Sequence, residues 1–218
     1  MLNNIFKIVY LILLFLASII RALGVSKSKN WWKNKDKIAQ NRNSWIDRIL
    51  LGFVFLGMQA VPLLYVFSPY LDFADYKINQ SVSMILGWTG ALIFISAIFM
   101  LWKSHVDLGL NFSPKLQLRK GHSLVTSGVF RKIRHPMYTA HFLWSIAQVL
   151  LLQNWIAGWG FLVTLLPLYL ARIKEEEQMM LDEFGDQYRS YMRKTGRLLP
   201  KRFFYQSSFQ MRKQNPMN

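Results

Sequence analysis

The stretch VSMILGWTGALIFISAIFMLW, residues 82–102, decides the fold class of this chain, because its 21 residues include no charged side chain. A helix needs about 20 apolar residues to cross the roughly 30 Å hydrocarbon core of a bilayer, and this stretch has that length. Two apolar runs of similar length, Ile5–Leu23 and Ile49–Phe67, precede it along the chain. We therefore predict an integral membrane protein of the all-α class.

The first run has an alternative interpretation as a cleaved signal peptide, with Ala22-Leu23-Gly24 as a small-x-small cleavage site. Cleavage would send the lysine-rich stretch that follows to the outer side, against the usual excess of Lys and Arg in cytoplasmic loops. A membrane helix is therefore the preferred prediction for Ile5–Leu23.

Two shorter apolar runs, Met137–Leu152 and Trp155–Ala171, follow in the second half and are separated only by Gln153 and Asn154. They hold 16 and 17 residues, which span about 24–26 Å at a rise of about 1.5 Å per residue. We predict that they form a tight helical hairpin that just crosses the membrane and leads into a cytoplasmic helix. The predicted fold therefore has five transmembrane helices.

The basic residues divide unequally between the two sides of this five-helix arrangement. The chain carries 27 Lys and Arg against 11 Asp and Glu, a formal net charge of +16. Segments 21–48, 103–134 and 172–213 carry 25 of the 27 on one side, and only Lys7 and Lys77 lie on the other. Because cytoplasmic loops concentrate Lys and Arg, we predict the N-terminus outside and the C-terminus in the cytoplasm. The net positive charge is then explained by membrane orientation and by contact with the lipid bilayer. Nucleic-acid binding is disfavoured, because the sequence shows no nucleic-acid recognition module.

Three regions are predicted along the chain. Residues 1–102 form three membrane helices joined by a basic loop, in which Trp31 and Trp32 suit an interfacial anchor. Residues 103–200 form a core in which polar residues interrupt the membrane pattern, so we expect the chemistry there. Residues 201–218 form a basic tail that is predicted to be disordered. The chain has no cysteine, which excludes disulfides, thiolate metal sites and a cysteine nucleophile.

Two polar clusters flank the predicted hairpin on its cytoplasmic side. The first, GHSLVTSGVFRKIRHPMY at residues 121–138, contains Pro136, a residue favoured at the first position of a helix. The unpaired N–H groups of such a helix end suit a carboxylate. The second cluster, residues 172–191, places Arg172 and Glu176 four apart on one helical face, where they can pair. Each cluster alone also fits an interfacial loop or a solvated helix surface, but together we expect them to converge in a polar pocket.

The two clusters together resemble the isoprenylcysteine carboxyl methyltransferase family and its phospholipid methyltransferase relatives. The resemblance rests on LVTSGVF at 124–130 with R-H-P-x-Y at 134–138, and on R-x-x-x-E-E at 172–177 with F-G-x-x-Y-x-x-Y at 184–191. It covers about residues 107–200, and the first three helices match only in their hydrophobic character. The resemblance implies a membrane enzyme that transfers a methyl group from S-adenosyl-L-methionine without a Rossmann domain. In agreement, no predicted strand is followed by a glycine-rich turn and a helix.

The resemblance also implies roles for individual residues, with no metal. Arg172 corresponds to the arginine that holds the acceptor's carboxylate, and Glu176 to a glutamate that binds the cofactor; both are catalytic candidates. A guanidinium can hold a carboxylate bidentately, and methyl transfer to a carboxylate needs orientation more than a general base. Phe130 stands where the family usually has Tyr. Some relatives have a cofactor-binding glutamine upstream, and Gln117 lies near that position. Its spacing does not match, so Gln117 is left out of the predicted contacts. The implied cofactor contacts are His122, Ser123, Leu124, Val125, Phe130, His135, Pro136, Met137, Tyr138 and Glu176.

The methyl acceptor is the most open part of the prediction. A cofactor entering from the cytoplasm and an acceptor entering from the bilayer favour carboxyl O-methylation of an isoprenylcysteine-like or other lipophilic molecule. Phospholipid N-methylation is the alternative, in which an arginine clamp would be less useful. An NADPH-dependent membrane reductase of isoprenoids or sterols is a further alternative, because such enzymes have a related C-terminal layout. A scaffold or transporter subunit is disfavoured by the few ionisable residues outside. The chain's size is typical of bacterial members, which indicates a bacterial inner membrane.

Overall fold

The computed structural model describes residues 2–32 and 38–201. The predicted tail beyond Lys201 and the side chains of Trp31 and Trp32 lie outside the described residues. Short 3-10 turns occur at Pro69–Ala74, Gly109–Asn111 and Gly128–Arg131. The α-helices of the described residues are α1 (Leu2–Trp32), α2 (Trp45–Phe55), α3 (Val61–Phe67), α4 (Gln80–Leu108), α5 (Pro136–Leu152) and α6 (Gly160–Lys194).

Three helical segments of the described chain are long and apolar enough to cross a membrane, namely Ile5–Lys27, Trp45–Phe67 and Gln80–Asn111. They coincide with the three long apolar runs of the sequence, so the mostly helical membrane character is confirmed. The second segment is continuous because a π-helical turn, Leu56–Ala60, joins α2 to α3. Pro62 lies in the first turn of α3, directly after that π turn, where the irregular backbone accommodates its missing N–H.

The two shorter apolar runs form α5 and the first part of α6. Helix α5 begins at Pro136, as predicted, and ends at Leu152, after which Gln153 adopts a left-handed conformation with φ of 48°. The next helix begins at Gly160, so the predicted start at Trp155 is wrong. Asn154 causes the difference, because its Oδ1 accepts hydrogen bonds from two successive backbone N–H groups and folds residues 153–159 into a turn. Helix α6 then continues to Lys194, with an irregularity at Gly185.

A short antiparallel sheet, which the sequence did not predict, accompanies the helices of this mostly helical fold. Strand β1 (Ile38–Asn41) pairs with β2 (Gln117–Arg119), with Asn41 opposite Gln117. This pairing joins the segment after α1 to the segment after α4. Strands of three and four residues are too short to show an alternating apolar pattern, which is why the sequence did not reveal them.

The hydrophobic core lies between α1, the segment from α2 to α3, α4, α5 and α6, and it contains a satisfied polar group. Tyr10 donates a hydrogen bond to Oε1 of Gln148 at 2.9 Å. Gln148 in turn donates to the backbone carbonyls of Gly57 and Ala157, at 3.0 and 2.7 Å. These bonds offset the cost of burying an amide in an apolar interior. The buried aromatic side chains of this core include Phe6, Tyr10, Phe94, Trp144 and Phe161.

Loops that were predicted to share a side of the membrane meet at the same end of the helix bundle. At one end, Tyr76 donates to the carbonyl of Gln153 at 2.8 Å, and Trp155 donates to the carbonyl of Ala74 at 2.9 Å. At the other end, β1 pairs with β2, and the Arg134 N–H donates to the carbonyl of Gly196 at 2.8 Å. The polar clusters lie at this second end. Helix α4 runs from one end to the other and continues across the predicted boundary between residues 102 and 103.

Candidate active site

A cavity of about 250 Å³ lies where α1, α4, α5 and α6 meet the loop segments 111–118 and 122–130. Both polar clusters of the sequence contribute to its wall, so they converge as predicted. The predicted site residues that line the cavity are His122, Leu124, Val125, Phe130, His135, Pro136, Met137, Tyr138, Arg172 and Glu176.

Ser123 is the predicted site residue that does not line this cavity. Its hydroxyl accepts a hydrogen bond from Nδ2 of Asn111 at 3.0 Å, and its N–H donates to Oδ1 of Asn111 at 3.4 Å. Asn111 itself lies in the cavity wall. The structure therefore gives Ser123 a supporting position behind Asn111.

Glu176 lies beside Tyr138 and His135 at the start of α5. The Tyr138 hydroxyl donates to Oε1 of Glu176 at 2.6 Å, and Nδ1 of His135 lies 3.5 Å from Oε2 of the same carboxylate. Burial disfavours a charged His135, but its hydrogen bonds to Glu176 and Glu177 and their negative charges outweigh burial and raise its pKa. The wall thus presents a carboxylate that a phenol and an imidazole hold in place.

Glu177, the last residue of the R-x-x-x-E-E motif, had no predicted role and is the centre of a buried ion-pair network. Its Oε1 accepts hydrogen bonds from Nε and Nη2 of Arg134, at 3.0 and 2.9 Å, and its Oε2 accepts one from Nε of Arg197 at 3.0 Å. Burial alone would raise the pKa of Glu177, but hydrogen bonds from His135, Arg197 and Arg134 hold it well below its usual value. This network ties the loop before α5 and the segment after α6 to α6 itself.

Arg172 does not pair with Glu176, although the two residues are four apart on α6. Its Nε and Nη2 donate to the two carboxylate oxygens of Asp47 on α2, the second bond measuring 2.7 Å. Arg172 and Asp47 are only 8% and 5% exposed. Ser44 positions Asp47 in the first turn of α2, because its side chain accepts a hydrogen bond from the Asp47 N–H. The packing of α2 against α6, which spacing along one helix cannot reveal, brings the two charges together.

Several cavity residues lie outside the predicted set. Gln117 is in the wall, and its Oε1 is buried with no hydrogen-bond partner among the described residues. The spacing argument left Gln117 out of the predicted cofactor contacts, and the β1–β2 pairing places it in the cavity wall. Arg21, His105 and His141 also line the cavity. These three residues could have been found from the sequence by their position in or next to apolar membrane segments. Ionisable residues in such segments are functional candidates by default.

Residues 90–182 match the model of the isoprenylcysteine carboxyl methyltransferase (ICMT) family. This segment contains the first polar cluster, the start of the second, and the cavity-lining parts of α4, α5 and α6 except Tyr188 and Tyr191. The matched residues make up less than half of the chain.

Curated proteins that are similar to this chain extend the comparison. The human protein-S-isoprenylcysteine O-methyltransferase is 33% identical over 138 residues, which cover 61% of this chain and 49% of the human protein. The Schizosaccharomyces pombe enzyme of the same name is 31% identical over 133 residues, which cover 60% of this chain and 56% of the yeast protein. The chain spans about half the length of the curated relatives that it matches.

A solved structure of the eukaryotic intramembrane Ras methyltransferase ICMT, without a monobody, also resembles this chain. It superposes with a TM-score of 0.47 and 26% identity, covering 72% of this chain and 51% of that chain. The likeness to the ICMT family rests on the sequence matches. The family match starts within α4, so α1 and α2, which contribute Arg21 and Asp47, lie outside it.

Proposed function

We propose that this chain is an integral membrane methyltransferase that uses S-adenosyl-L-methionine to methylate the carboxyl group of a lipophilic, isoprenylcysteine-like acceptor. The observation that carries the proposal is the meeting of both family motif clusters on one cavity at the end of apolar helices. The names of the curated relatives favour this reaction over phospholipid N-methylation and over NADPH-dependent reduction. A family of methyltransferases implies a methyl donor, and the chemistry of the wall supports S-adenosyl-L-methionine.

The wall fits this cofactor through unpaired polar atoms and opposite charges. Oε1 of Gln117 and Nδ1 of His122 are buried with no hydrogen-bond partner among the described residues. Burial lowers the pKa of His122 to about 4, with a smaller contribution from the Arg119 charge, so its imidazole is neutral at pH 7. Glu176 offers a carboxylate to a cationic group, and the N–H groups at the start of α5, around Pro136, suit a carboxylate.

The other predicted contacts complete this binding surface. Leu124, Val125, Phe130, Met137 and Tyr138 would enclose the cofactor together with His135, and Ser123 would act through Asn111. When bound, S-adenosyl-L-methionine would supply a methyl carbon that the acceptor's carboxylate oxygen attacks as the carbon–sulfur bond breaks. The protein's part in this displacement is to orient the two reactants and exclude water.

Arg172 is the proposed ligand for the reacting carboxylate. Its guanidinium already binds the Asp47 carboxylate through two parallel hydrogen bonds, which is the geometry that recognition of an acceptor carboxylate requires. An acceptor carboxylate would compete with Asp47 for this side chain. A Lys at this position would keep the charge but lose the bidentate geometry.

We further propose five membrane crossings, with α5 and the first part of α6 as the hairpin and the rest of α6 as a cytoplasmic helix. The N-terminus would lie outside and the C-terminus in the cytoplasm, in a bacterial inner membrane. The distribution of the basic residues supports this orientation. The meeting of loops 74–76 and 153–155 at the end opposite the cavity is consistent with it. Residues 103–200 would form the methyltransferase core, completed by Asp47 and Arg21 from the first three helices.

Calorimetric titration of the purified full chain with S-adenosylhomocysteine tests the cofactor site. Glu176→Ala and His135→Ala should each weaken binding by about 1–3 kcal/mol, the cost of removing one partner of a buried polar contact. Arg131→Ala, at an exposed position outside the cavity wall, is the control and should bind like the parent. Parental affinity in both site variants, or tighter binding of NADPH than of S-adenosylhomocysteine, would contradict the assignment.

The acceptor site is tested with Arg172→Lys and the probe N-acetyl-S-farnesylcysteine. The variant should bind S-adenosylhomocysteine like the parent and lose roughly 10- to 100-fold in kcat/KM. Loss of cofactor binding with unchanged acceptor affinity would reverse the roles of Arg172 and Glu176. Full activity would exclude Arg172 as the carboxylate ligand.

A further inference from the structure

Arg21 is a charged side chain that membrane helix α1 directs into the cavity. Its Nη1 lies 2.8 Å from Nε2 of His141, whose Nδ1 lies 2.6 Å from the backbone carbonyl of Met137. A carbonyl can only accept, so Nδ1 of His141 carries the ring proton and Nε2 accepts from Arg21. The imidazole is therefore neutral. Among the residues that the structure describes, no carboxylate pairs with Arg21.

His105 of α4 lines the same cavity and is 8% exposed. Neither of its ring nitrogens has a hydrogen-bond partner in the described part of the chain. The ring packs on α1 at Gly24, where an added Cβ would lie 2.2 Å from Nδ1 of His105. Because Gly24 follows Arg21 by three positions on one helical face, His105 and Arg21 are neighbours. A buried imidazole with both nitrogens unpaired is a site where a ligand's polar group would be stabilising.

Among the arginines of the cavity wall, Arg21 differs from the others in having no acidic partner among the described residues. Of the three arginines that line the cavity, Arg134 pairs with Glu177 and Arg172 pairs with Asp47. In the part of the chain that the structure describes, the hydrogen-bond partner of the Arg21 guanidinium is the neutral His141 ring. A buried guanidinium without a counter-charge is costly, and an anionic ligand would remove that cost.

Apolar and aromatic side chains surround the Arg21–His141 pair. The His141 ring stacks on Trp144 and meets the edge of Phe161, both at a centroid distance of 6.2 Å, and these two aromatic residues belong to the buried core. On α1, the neighbouring Ile19 and Leu23 are exposed on the outside of the bundle, the surface that faces lipid in a membrane. A ligand at Arg21 therefore meets a cation directly beside hydrocarbon.

We propose that Arg21, His105 and His141 form a subsite for the oxyanion, carboxylate or phosphate, of a lipophilic molecule. This inference rests on the proposed function, because the lipophilic molecule is taken to be the methyl acceptor. To Arg172 it adds Arg21, from the first helix, as a second side chain that binds the acceptor's anionic group. Arg172 must exchange Asp47 for an incoming anion. Arg21 needs no such exchange, so it is the side chain that captures the acceptor's charged group.

Equilibrium binding to the full chain in detergent, without cofactor, tests this subsite. The probes are N-acetyl-S-farnesylcysteine with its methyl ester, and farnesyl phosphate with farnesol; each pair differs by the oxyanion. The parent should bind at least one anionic probe roughly 10-fold or more tightly than its neutral partner. The probe pair with the larger ratio of affinities shows whether the subsite prefers a carboxylate or a phosphate. Arg21→Gln should lower the ratio at least severalfold, with Arg172 supplying what remains, and should leave affinity for the neutral probes unchanged.

Controls separate the subsite from folding and from the cofactor. Arg131→Gln removes the same charge from an exposed position outside the cavity wall and should keep the parental ratio. If Arg21→Gln does not fold, Arg21→Lys should lower the ratio severalfold, because an ammonium cannot form two parallel hydrogen bonds. The inference would be overturned if a folded Arg21 variant kept the parent's ratio of anionic-probe to neutral-probe affinity. It would also be overturned if the variant kept that ratio and bound S-adenosylhomocysteine more weakly than the parent. Absence of methyl transfer would overturn the proposed function alone, because these binding constants involve no turnover.

Discussion

Asp47→Asn is expected to destabilise the protein strongly, because it removes one partner of the buried ion pair that joins α2 to α6. The substitution is nearly isosteric, and the backbone N–H of residue 47 still donates to Ser44, so the helix cap persists. The change is therefore confined to the charge. Arg172 would keep its positive charge at a position that is 8% exposed.

The size of the effect follows from this burial. Removing one member of a buried, hydrogen-bonded ion pair costs about 3–5 kcal/mol, because the remaining charge is left uncompensated. At about 2–4 °C per kcal/mol for a chain of this length, Tm should fall by about 6–20 °C. The positive charge of Arg21, which repels Arg172, acts in the same direction. The double variant Asp47→Leu/Arg172→Met removes both charges and should recover most of the loss, since apolar replacement of a buried pair is often neutral.

Thermal unfolding of the purified protein in detergent, followed by tryptophan fluorescence, measures these differences. Asp186→Asn is the matched control, because Asp186 pairs with Arg189 at 3.1 Å on an exposed surface and should contribute less than about 1 kcal/mol. If Asp47→Asn unfolds at the temperature of this control, the burial argument fails. If the double variant is as unstable as Asp47→Asn, lost packing rather than the unpaired charge explains the effect.

Three further predictions follow from the fold. The lowered pKa of Glu177 means that its stabilisation is complete above its ordinary pKa, near 4.5, and is lost as pH falls below it. Denaturant unfolding between pH 5 and pH 3 should therefore show a steeper loss of stability in the parent than in Glu177→Gln, and parallel losses would refute this role. Gly57→Ala should lower Tm, because the added Cβ would lie 2.3 Å from the Gly160 carbonyl oxygen. Gly52→Ala is the control and should not lower Tm, because its Cβ would have nothing within 4 Å. Equal Tm values for the two variants would exclude the close contact between Gly57 and Gly160. Reporter fusions at residue 77 and at the C-terminus should locate to opposite sides of the membrane, and a shared location would contradict the proposed orientation.

Local features of the sequence were sufficient for the membrane class and for part of the site. The three long apolar runs specified their helices because length and apolarity alone determine whether a helix suits a bilayer. Pro136 marked the start of α5 because its fixed φ and missing N–H favour a first helical position. The two motif clusters carried the family resemblance, and most of their predicted residues line the cavity.

The pairing of charges was decided only by the tertiary structure. The spacing on α6 suggested that Arg172 pairs with Glu176, but Arg172 binds Asp47, 125 residues away in the chain. Gln117 entered the wall because β2 pairs with β1, and Arg21 entered it because α1 packs beside α4. Periodicity describes which side chains share a face of one helix, whereas a buried charge takes its partner from whichever element packs against it.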